Sequence, residues 1–572
     1  MALVKPVKLI LLFFSVLYLI PGYGQIENSK DDFCLPLKIS PVLSGNFGEP
    51  RSRHFHAGID FRTYTENKEI YSVADGYISR IYVSPWGYGL ALYITHYNGY
   101  TSVYGHINRF KPEVQDFVRN IQYKKQSFAI DTIISEDIFP VKKGEFIAYS
   151  GNTGSSEGPH LHFEIRETES NISINTLNCL YNIKDNIKPE VYSVVLYPLD
   201  GNSAVDGKNQ KKQYDLTLQN ANYILSNNVT PKATGKIGIG VSYIDRMNDT
   251  QNRFGAEHVK MFVNDTLYYH SVMDIVDFEK QKCKNSVFDF SYYLDKSSHV
   301  HKTFVEPNND LNIFACLQHN GVFEINSGEI KKIKLEITDF SGNTSIVNFN
   351  IEGKENNSDR KTNIQNLLYW DKYYIIPFES LRVEIDSACM FYNNHISVRK
   401  TGQKKYSASY KIGNDDIALK KDIKVSFFID NNILKYKDKI LISRILNKKA
   451  THLKPRVEQN FVTASSNSFG EFYIQIDTIA PKITPKNIYK GVDLTNTKYI
   501  EITIEDNLAG IGNYNLYIND TWVLGQYEPK NKTVKYYFDE YFPKSNSNLH
   551  VFKAVVSDVL GNVSEYSCNF YK

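Results

Sequence analysis

Two histidines stand two residues apart in a stretch that alternates like a β-strand. His160, His162 and Glu164 are separated by single apolar residues, which predicts a strand with one polar and one apolar face. Residues two apart on such a strand lie about 6.7 Å from each other on the same face. The two imidazoles could therefore share one metal ion, or one could bind the metal while the other faces a substrate.

A second chemical stretch places His56 four residues before Asp60. An extended strand would separate the two residues by about 13 Å, which is too far for one zinc ion. Gly58 and the flanking aromatic residues disfavour a helix. The chain must therefore bend near Ala57 and Gly58 if both residues bind the same ion, and glycine permits such a bend.

The elements around these residues are predicted to be short strands joined by tight turns. A glycine-rich loop over 150–158 leads into the strand of the paired histidines. His96 ends another strand and is interpreted as structural, whereas the strand end at His106 stays ambiguous by itself. The predicted strands cover residues 69–73, 77–83, 89–96, 100–106 and 145–150. This pattern favours a compact antiparallel sheet with few helices.

Taken together, the motifs resemble the lysostaphin/LytM-type zinc endopeptidases of peptidase family M23. The resemblance spans about residues 40–170 and follows the order of motifs in that family. The motifs that carry it are His56-x-x-x-Asp60, Tyr104-x-His106, the loop Gly151-Asn152-Thr153-Gly154, and Pro159-His160-Leu161-His162-Phe163-Glu164.

The resemblance implies a zinc site and a catalytic pair. His56, Asp60 and His162 would bind zinc, and His106 and His160 would be the catalytic residues beside it. Two histidines and one carboxylate leave a fourth tetrahedral position open, as in catalytic zinc sites. One imidazole can accept the proton of a water molecule, and the other can steady an oxyanion or protonate the leaving amine.

Two assignments stay open. Which of His106 and His160 is the general base stays open. Glu164 could contact a zinc ligand from behind or be structural. Some members of the family have lost their zinc ligands and act only as activators of other hydrolases. All five positions are present here, so an active zinc metalloendopeptidase is expected.

One departure from compact members of the family is an insertion over residues 107–141. Pro112 followed by apolar residues at helical spacing predicts a helix, and residues 127–140 are predicted to be extended. The apolar residues are Val114, Phe117, Val118 and Ile121. We expect the insertion to form a wall of the substrate groove. The alternative is that it packs against the C-terminal part of the chain.

The N-terminus is typical of a secretory signal peptide over residues 1–24. Lys5 and Lys8 precede an apolar run of twelve residues that ends at Pro21, which is too short to span a bilayer. No later segment is long and apolar enough to be a transmembrane helix. The protein is therefore expected to be exported, to the periplasm, the cell envelope or the medium.

Composition sets the remaining limits. The 572 residues predict three to four domains, and without residues 1–24 the 66 basic side chains fall to 64 against 63 acidic ones. Nothing in that balance favours nucleic acid as a partner.

Six cysteines permit disulfides in an exported protein. Cys34 with Cys179 and Cys283 with Cys316 are candidate pairs, and unpaired buried cysteines are the alternative.

After the peptidase domain, predicted over 34–188, the sequence is rich in β-strand patterns and lacks metal-type clusters. Asp-x-x-Gly-Asn-x-Ser, interpreted as a tight turn before a final strand, occurs at Asp339 and again at Asp558, which is a cue for repeated Ig-like β-sandwiches. Linkers are predicted at 352–362 and 477–481. The tail therefore divides into 189–355, 356–478 and 479–572, and the N-terminal part of the first unit could form a separate strand layer on the enzyme.

The fold class expected is mainly β, with a compact antiparallel zinc peptidase domain followed by Ig-like sandwiches. The leading function is hydrolysis of peptide cross-links in bacterial peptidoglycan. One alternative is a secreted protease of glycine-rich proteins, and another is a non-catalytic wall-binding or activator protein. No aromatic or basic cluster in the tail indicates its ligand.

Overall fold

The computed structural model describes residues 32–52, 54–180, 183–296, 298–354, 366–545 and 547–572. Strands dominate this part of the chain, and the fold class is confirmed as mainly β, with an antiparallel peptidase domain followed by β-sandwich units. The predicted signal peptide lies outside the described residues. Within the described ranges, the helices are too short or too polar to cross a membrane.

Among the described residues, the peptidase domain forms one sheet with one long helix. The elements are β1 (Leu43–Gly45), β2 (Ile59–Arg62), β3 (Glu69–Tyr71), β4 (Gly76–Val83), β5 (Leu90–His96), β6 (Tyr100–Phe110), α1 (Pro112–Lys125), β7 (Ile130–Ile133), β8 (Pro140–Val141), β9 (Phe146–Ser150), β10 (His160–Glu167) and β11 (Ser173–Ile174). The central strand order is β1-β2-β10-β6-β5-β4-β7, so the strand of the paired histidines, β10, lies between β2 and β6.

The core of this domain lies under the apolar face of β10. Leu161, Phe163 and Ile165 are fully buried, as their alternation with polar residues predicted. The neighbouring strands contribute further apolar side chains, including Phe61 and Tyr104, whose rings lie 6.3 Å and 5.2 Å from that of Phe163. The opposite face of β10 is left for the polar residues.

The helix predicted in the insertion is α1, and Pro112 stands in its first turn. Val114 and Val118 are buried, and Phe117 and Ile121 pack against the core of the peptidase domain. The predicted extended stretch contains β7, which pairs with β4, and the start of β8. The apolar face of α1 is therefore used by the domain that carries the helix.

The tail begins with a unit whose main sheet has twelve strands. Its helices are short, at Lys284–Val287 and Phe290–Lys296. The strands are Glu190–Pro198, Ala204–Val205, Lys212–Gln219, Asn222–Leu225, Lys232–Ile244, His258–Val263, Thr266–Val272, His301–Lys302, Phe314–Leu317, Phe323–Ile325, Ile330–Thr338 and Thr344–Gly353.

Part of this unit packs on the enzyme, but it is not the N-terminal part. The strand Ile275–Val276 pairs with β11 of the peptidase sheet. Met247, Phe254, Met273 and Phe288 join the hydrophobic core of the peptidase domain. The first strand, Glu190–Pro198, lies instead inside the twelve-stranded sheet, because its buried residues complete the separate core of the tail unit.

The next two units each have two sheets around one hydrophobic core. In the first of these units, one sheet consists of Tyr374–Phe378, Leu381–Ile385, Ile423–Phe428, Arg456–Glu458 and Phe461–Ser466. The opposite sheet consists of Val398–Gln403, Ala408–Ile412, Ile440–Leu446, Lys449–Leu453 and Gly470–Ile476. The unit also contains the short strand pair Leu367–Leu368 and Asn394–His395 and the helix Asn431–Leu434. The second contains Lys482–Pro485, Tyr499–Glu505, Gln526–Glu528 and Thr533–Tyr537 opposite Val492–Asp493, Ile511–Ile518, Thr521–Val523, Leu549–Asp558 and Val563–Tyr571. The linker predicted at 352–362 falls largely on residues outside the described ranges.

None of the six cysteines forms a disulfide. The two candidate disulfides are therefore wrong. The alternative of buried cysteines outside disulfides holds for four of the six, since Cys34 and Cys316 are only partly buried. Cys179 and Cys283 are fully buried, where a thiol packs as a small apolar side chain. The Cys283 thiol also donates to Asp310 Oδ1 at 3.1 Å.

The last unit folds back onto the outer face of α1. The rings of Tyr123 and Tyr541 stack with centroids 3.9 Å apart, and the Tyr123 hydroxyl donates to Asp539 Oδ2 at 2.7 Å. Arg119 pairs with Glu540 at 2.9 Å. The insertion therefore packs against the C-terminal part of the chain, as in the alternative interpretation, and these contacts make it a docking surface.

The same unit also reaches the loop that precedes β10. Lys530 Nζ donates to the carbonyl oxygens of Asn152 and Ser156, the latter at 3.2 Å. Tyr527 lies edge-on to Trp86 at 6.4 Å. The C-terminal unit is therefore in contact with two loops that border the polar face of β10.

We expect Tyr123→Ala to loosen this docking. The change removes the stacked ring, its hydrogen bond and the edge contact with Trp522 at 5.4 Å. A double-mutant cycle with Tyr541→Ala should give a coupling free energy of about 0.5–1.5 kcal/mol. The measurement is urea unfolding followed by Trp522 fluorescence in a protein whose other two tryptophans are replaced by phenylalanine.

Tyr97→Ala is the matched control, because Tyr97 is 64% exposed on the hairpin turn of the peptidase domain. It should show no coupling with Tyr541→Ala. A coupling near zero for Tyr123 as well would contradict the docking.

Candidate metal centre and catalytic histidines

The candidate metal ligands come together because of the strand register. His162 of β10 stands directly opposite Asp60 of β2, and the two side chains meet with His162 Nδ1 2.9 Å from Asp60 Oδ1. His56 Nε2 lies 3.0 Å from His162 Nδ1 and 3.1 Å from Asp60 Oδ1. All three side chains are buried. Three donor atoms thus converge on one point.

The bend predicted before Asp60 is present. β2 begins at Ile59, so His56 precedes the strand and its side chain returns over it to Asp60. At Gly58 an added Cβ would lie 2.3 Å from the carbonyl oxygen of Phe163 on β10. Glycine is therefore needed there for close approach of two backbones, which is a more specific reason than the bend alone.

The hydrogen bonds of the two imidazoles decide which nitrogen is available to a metal. A carbonyl or carboxylate oxygen can only accept, so the ring nitrogen facing it carries the proton. His56 Nδ1 faces the carbonyl oxygen of Asn46 at 2.7 Å, and His162 Nε2 faces Glu164 Oε1 at 2.7 Å. The nitrogens left for a metal are then His56 Nε2 and His162 Nδ1, which both face Asp60 Oδ1. Although burial opposes it, Asp60 and Glu164 raise the pKa of His162 to about 9, so a metal ion bound here would replace the proton between His162 Nδ1 and Asp60.

This donor set fits a tetrahedral metal ion. Ligand atoms bound at 2.0–2.2 Å in a tetrahedron lie about 3.3 Å from one another, close to the separations of 2.9–3.1 Å found here. Burial acts to raise the pKa of Asp60, but the neighbouring His56 and His162 hold it well below its ordinary value. The carboxylate is therefore ionised, as a ligand must be.

Glu164 supports His162 from behind. Its side chain is fully buried, and besides His162 it accepts hydrogen bonds from the Tyr88 hydroxyl at 2.6 Å and from Arg166 Nε at 2.6 Å. Burial opposes ionisation, but Arg166 and His162 lower the pKa of Glu164 to about 2. Of the two roles open for Glu164, the structure shows contact with a candidate ligand.

His106 and His160 lie beside this cluster. Their ring centroids are 4.7 Å apart, and the ring of His106 is 5.9 Å from that of His162. His106 Nδ1 faces the carbonyl oxygen of Thr153 and His160 Nδ1 faces that of Gly158, each at 2.8 Å. In the neutral form both rings therefore carry the proton on Nδ1 and keep Nε2 as an acceptor.

His106 reaches the site through an unusual backbone conformation. Its φ is +58°, a left-handed conformation that few residues other than glycine adopt, and β6 shifts register against both β5 and β9 around it. Such conformations cost about 1–3 kcal/mol and concentrate at functional sites. Burial and the neighbouring His160 and His162 lower the pKa of His106 to about 3, so its imidazole is neutral.

Sequence reasoning missed the groups that hold the site in place. Arg166 could have been found, because it continues the alternation of His160, His162 and Glu164 on β10. Arg51, which donates to Asp60 Oδ2 at 2.8 Å, and Tyr88 carry no local pattern. They come from loops whose position depends on the whole fold. His96, interpreted as structural, hydrogen-bonds Ser102 at 2.7 Å away from the site.

We expect Glu164→Gln to weaken metal binding by about 10–100-fold, the usual effect of removing a charged partner behind a ligand. Glutamine keeps the shape but gives His162 a weaker acceptor. The measurement is the metal dissociation constant by competition with a chelator. Glu167→Gln, at the exposed end of the same strand, is the control and should bind metal as the unchanged protein does. Equal affinities in both variants would contradict the positioning role.

Comparison with known proteins points to the same segment. The family model "Peptidase family M23" matches residues 54–123 and 135–174, which leaves only 124–134 of the predicted insertion outside the match. A model named "Zu5-like domain" matches residues 365–477.

Curated relatives share about a quarter of this chain. A protein of Haemophilus influenzae named an uncharacterized metalloprotease is 32% identical over 136 residues, which are 23% of each chain. A DD-carboxypeptidase/endopeptidase of Neisseria meningitidis is 32% identical over 148 residues, 25% of this chain and 28% of its own. The chain thus spans about a quarter of the length of the curated relatives it matches.

Among solved structures, a zinc-containing peptidase of Vibrio cholerae is 26% identical, with 23% of this chain and 36% of the other covered. Its TM-score is 0.18, which supports no structural argument. The fold and the two-histidine, one-carboxylate site define a metallopeptidase domain. Residues 54–123 and 135–174 of this chain are similar to peptidase family M23.

Proposed function

We propose that this chain is an exported zinc metalloendopeptidase that hydrolyses peptide cross-links of bacterial peptidoglycan. The observation that carries the proposal is the convergence of two imidazole nitrogens and one carboxylate oxygen beside two further histidines. The tail contacts the peptidase domain at α1, at the bordering loops and at β11, and it supplies none of the three converging donor atoms.

Zinc is the metal that this donor set suits best. Two imidazoles and one carboxylate are the ligands of many catalytic zinc sites, in which the fourth position is open. When bound, zinc polarises a carbonyl group and makes water nucleophilic near neutral pH. His56, Asp60 and His162 would hold it.

The protein's own residues would handle the protons. His106 and His160 each present Nε2 as an acceptor, because Nδ1 is held by a backbone carbonyl. Either ring can accept a proton at Nε2, and once protonated it can donate that proton to a leaving amine. The carbonyl contacts also fix the orientation of both rings, which keeps this exchange directed at one place.

The substrate class is inferred from relatives and from the N-terminus. The Neisseria relative is named a DD-carboxypeptidase/endopeptidase, an activity directed at wall peptides. The basic and apolar pattern of residues 1–24 favours export. A protein exported with this site would meet peptidoglycan.

The test is mass spectrometry of fragments released from purified peptidoglycan by the mature full chain. We expect cross-linked fragments to be converted to uncross-linked ones, the activity to stop with a chelator, and zinc to restore it. Asp60→Ala is the matched inactive control. Cleavage of a glycine-rich protein but not of the wall would favour the secreted protease instead. No cleavage of either substrate by the zinc-loaded protein would favour a non-catalytic binder.

A further inference from the structure

A second group of acidic side chains lies far along the chain from the metallopeptidase site. Asp185 is in the segment that leaves the peptidase domain, Asp245 follows the strand Lys232–Ile244, and Asp339 follows the strand Ile330–Thr338. One carboxylate oxygen from each lies within 4.8 Å of the others. The three therefore meet where the peptidase domain joins the first unit of the tail.

Asp245 is the unusual member of this group. It is 1% exposed, and neither of its carboxylate oxygens has a hydrogen-bond partner among the described residues. One buried oxygen of Asp185 is also without a partner in that part of the chain. Buried carboxylates are normally hydrogen-bonded, paired with a cation or bound to a metal, so this group lacks a positive partner.

The three carboxylates also act on one another. Burial, and then the charges of Asp339 and Asp185, raise the pKa of Asp245 to about 8, although the backbone N–H of Arg246 opposes the rise. Burial likewise raises the pKa of Asp185 to about 6. The mutual repulsion of the three carboxylates thus favours protonation of Asp245, and a cation bound among them would offset the same repulsion.

The last unit of the tail contains a similar group of three aspartates, in which backbone N–H groups donate to more of the carboxylate oxygens. Asp477, Asp506 and Asp558 also converge within 4.8 Å, and they stand at equivalent places, in a linker, after a strand and before the last strand. There, however, Asp506 Oδ2 accepts from the backbone N–H groups of Leu508 and Gly510, at 3.0 Å and 2.7 Å.

The two groups are otherwise built alike. Asp339 Oδ1 accepts from the N–H groups two and four residues on, at 2.8 Å and 2.9 Å, and Asp558 Oδ1 does the same at 2.9 Å and 2.8 Å. Asp185 and Asp477 each accept from the N–H two residues on at 3.0 Å. The groups differ at two residues. Among the described residues, Asp245 lacks a hydrogen-bond partner at both oxygens, whereas Asp506 lacks one only at Oδ1. Asp185 Oδ2 also has none within the described ranges, whereas Asp477 Oδ2 accepts from the backbone N–H of Ala509 at 3.0 Å.

We propose that Asp185, Asp245 and Asp339 bind a calcium ion. The donors are all oxygen atoms, which suit hard cations and not zinc. Oxygens on opposite sides of a calcium ion lie about 4.6–5.2 Å apart, and the three carboxylate oxygens all lie within 4.8 Å of one another, which allows one ion to contact all three. Magnesium keeps several of its water molecules, and the burial of Asp245 leaves little room for them.

The position of Asp185 gives the site a structural role. This residue precedes the first strand of the tail, whereas Asp245 and Asp339 belong to the tail unit itself. An ion bound to all three ties the connecting segment to that unit. The bound ion would therefore fix the position of the peptidase domain relative to the first unit of the tail at the connecting segment.

The test is a calcium titration of the zinc-loaded mature chain by calorimetry. We expect one saturable event that depends on Asp245, with a dissociation constant of about 10⁻⁵–10⁻³ M. Asp245→Asn should weaken this event at least tenfold, and Asp506→Asn is the matched control that should retain it. Asp245→Asn should fold without calcium, since it removes a buried carboxyl group that repels its neighbours, but its Tm should no longer rise when calcium is added.

Asp185→Asn is a second, less buried variant, and it should also weaken the event. The proposal is overturned if the unchanged protein shows no saturable event up to about 10 mM calcium. It is likewise overturned if folded Asp245→Asn binds calcium as tightly as the unchanged chain. Tighter binding of magnesium than of calcium would overturn the choice of ion.

Discussion

His162→Ala and Asp60→Ala are each expected to release the metal and to reduce hydrolysis to the background rate. Each change removes one of only three protein donors, and the remaining pair cannot complete a tetrahedral site. Asp60→Ala also leaves Arg51 without its 2.8 Å partner. Metal content per chain by elemental analysis, together with release of wall fragments, measures both effects.

His54→Ala is the control for these variants. His54 is exposed and lies two residues before His56, so its loss should change neither metal content nor activity. Full metal content in both His162→Ala and Asp60→Ala would contradict the ligand assignment.

His106→Ala and His160→Ala are expected to keep the metal but to lose about 10²–10⁴-fold in activity, the range for general acid–base groups. Neither ring contributes one of the three converging donors, so binding and catalysis should separate. The measurement is kcat/KM on a defined wall peptide, with metal content determined on the same samples.

The pH dependence of these two variants should also assign their roles. The variant that lacks the general base should lose the acidic limb of the kcat/KM profile, and the variant that lacks the acid should lose the basic limb. Near-normal rates in either variant would mean that its histidine only packs beside the site.

Much of the site could be predicted from local pattern. The alternation around His160 and His162 identified a strand with a polar face, and the spacing of His56 and Asp60 required a bend at Gly58. Both are properties of a few consecutive residues, because backbone geometry sets which side chains share a face. The helix after Pro112 was visible for the same reason.

Other features depended on contacts between distant parts of the chain. The register that sets Asp60 opposite His162 is chosen by the packing of whole strands. The left-handed conformation of His106 is held by strands on both sides of it. No local pattern predicts that the outer face of α1 receives the last unit of the tail.

The acidic groups and the cysteines show the same division. The repeated Asp-x-x-Gly-Asn-x-Ser was recognised in the sequence as a turn before a final strand, which its backbone hydrogen bonds explain. Only the tertiary structure brings Asp185 and Asp245 to that turn. Counting cysteines suggested pairs, but no disulfide forms, because a disulfide requires proximity in space. The sequence by itself determined which side chains share a strand face, whereas the packing of distant segments decided which of those faces meet.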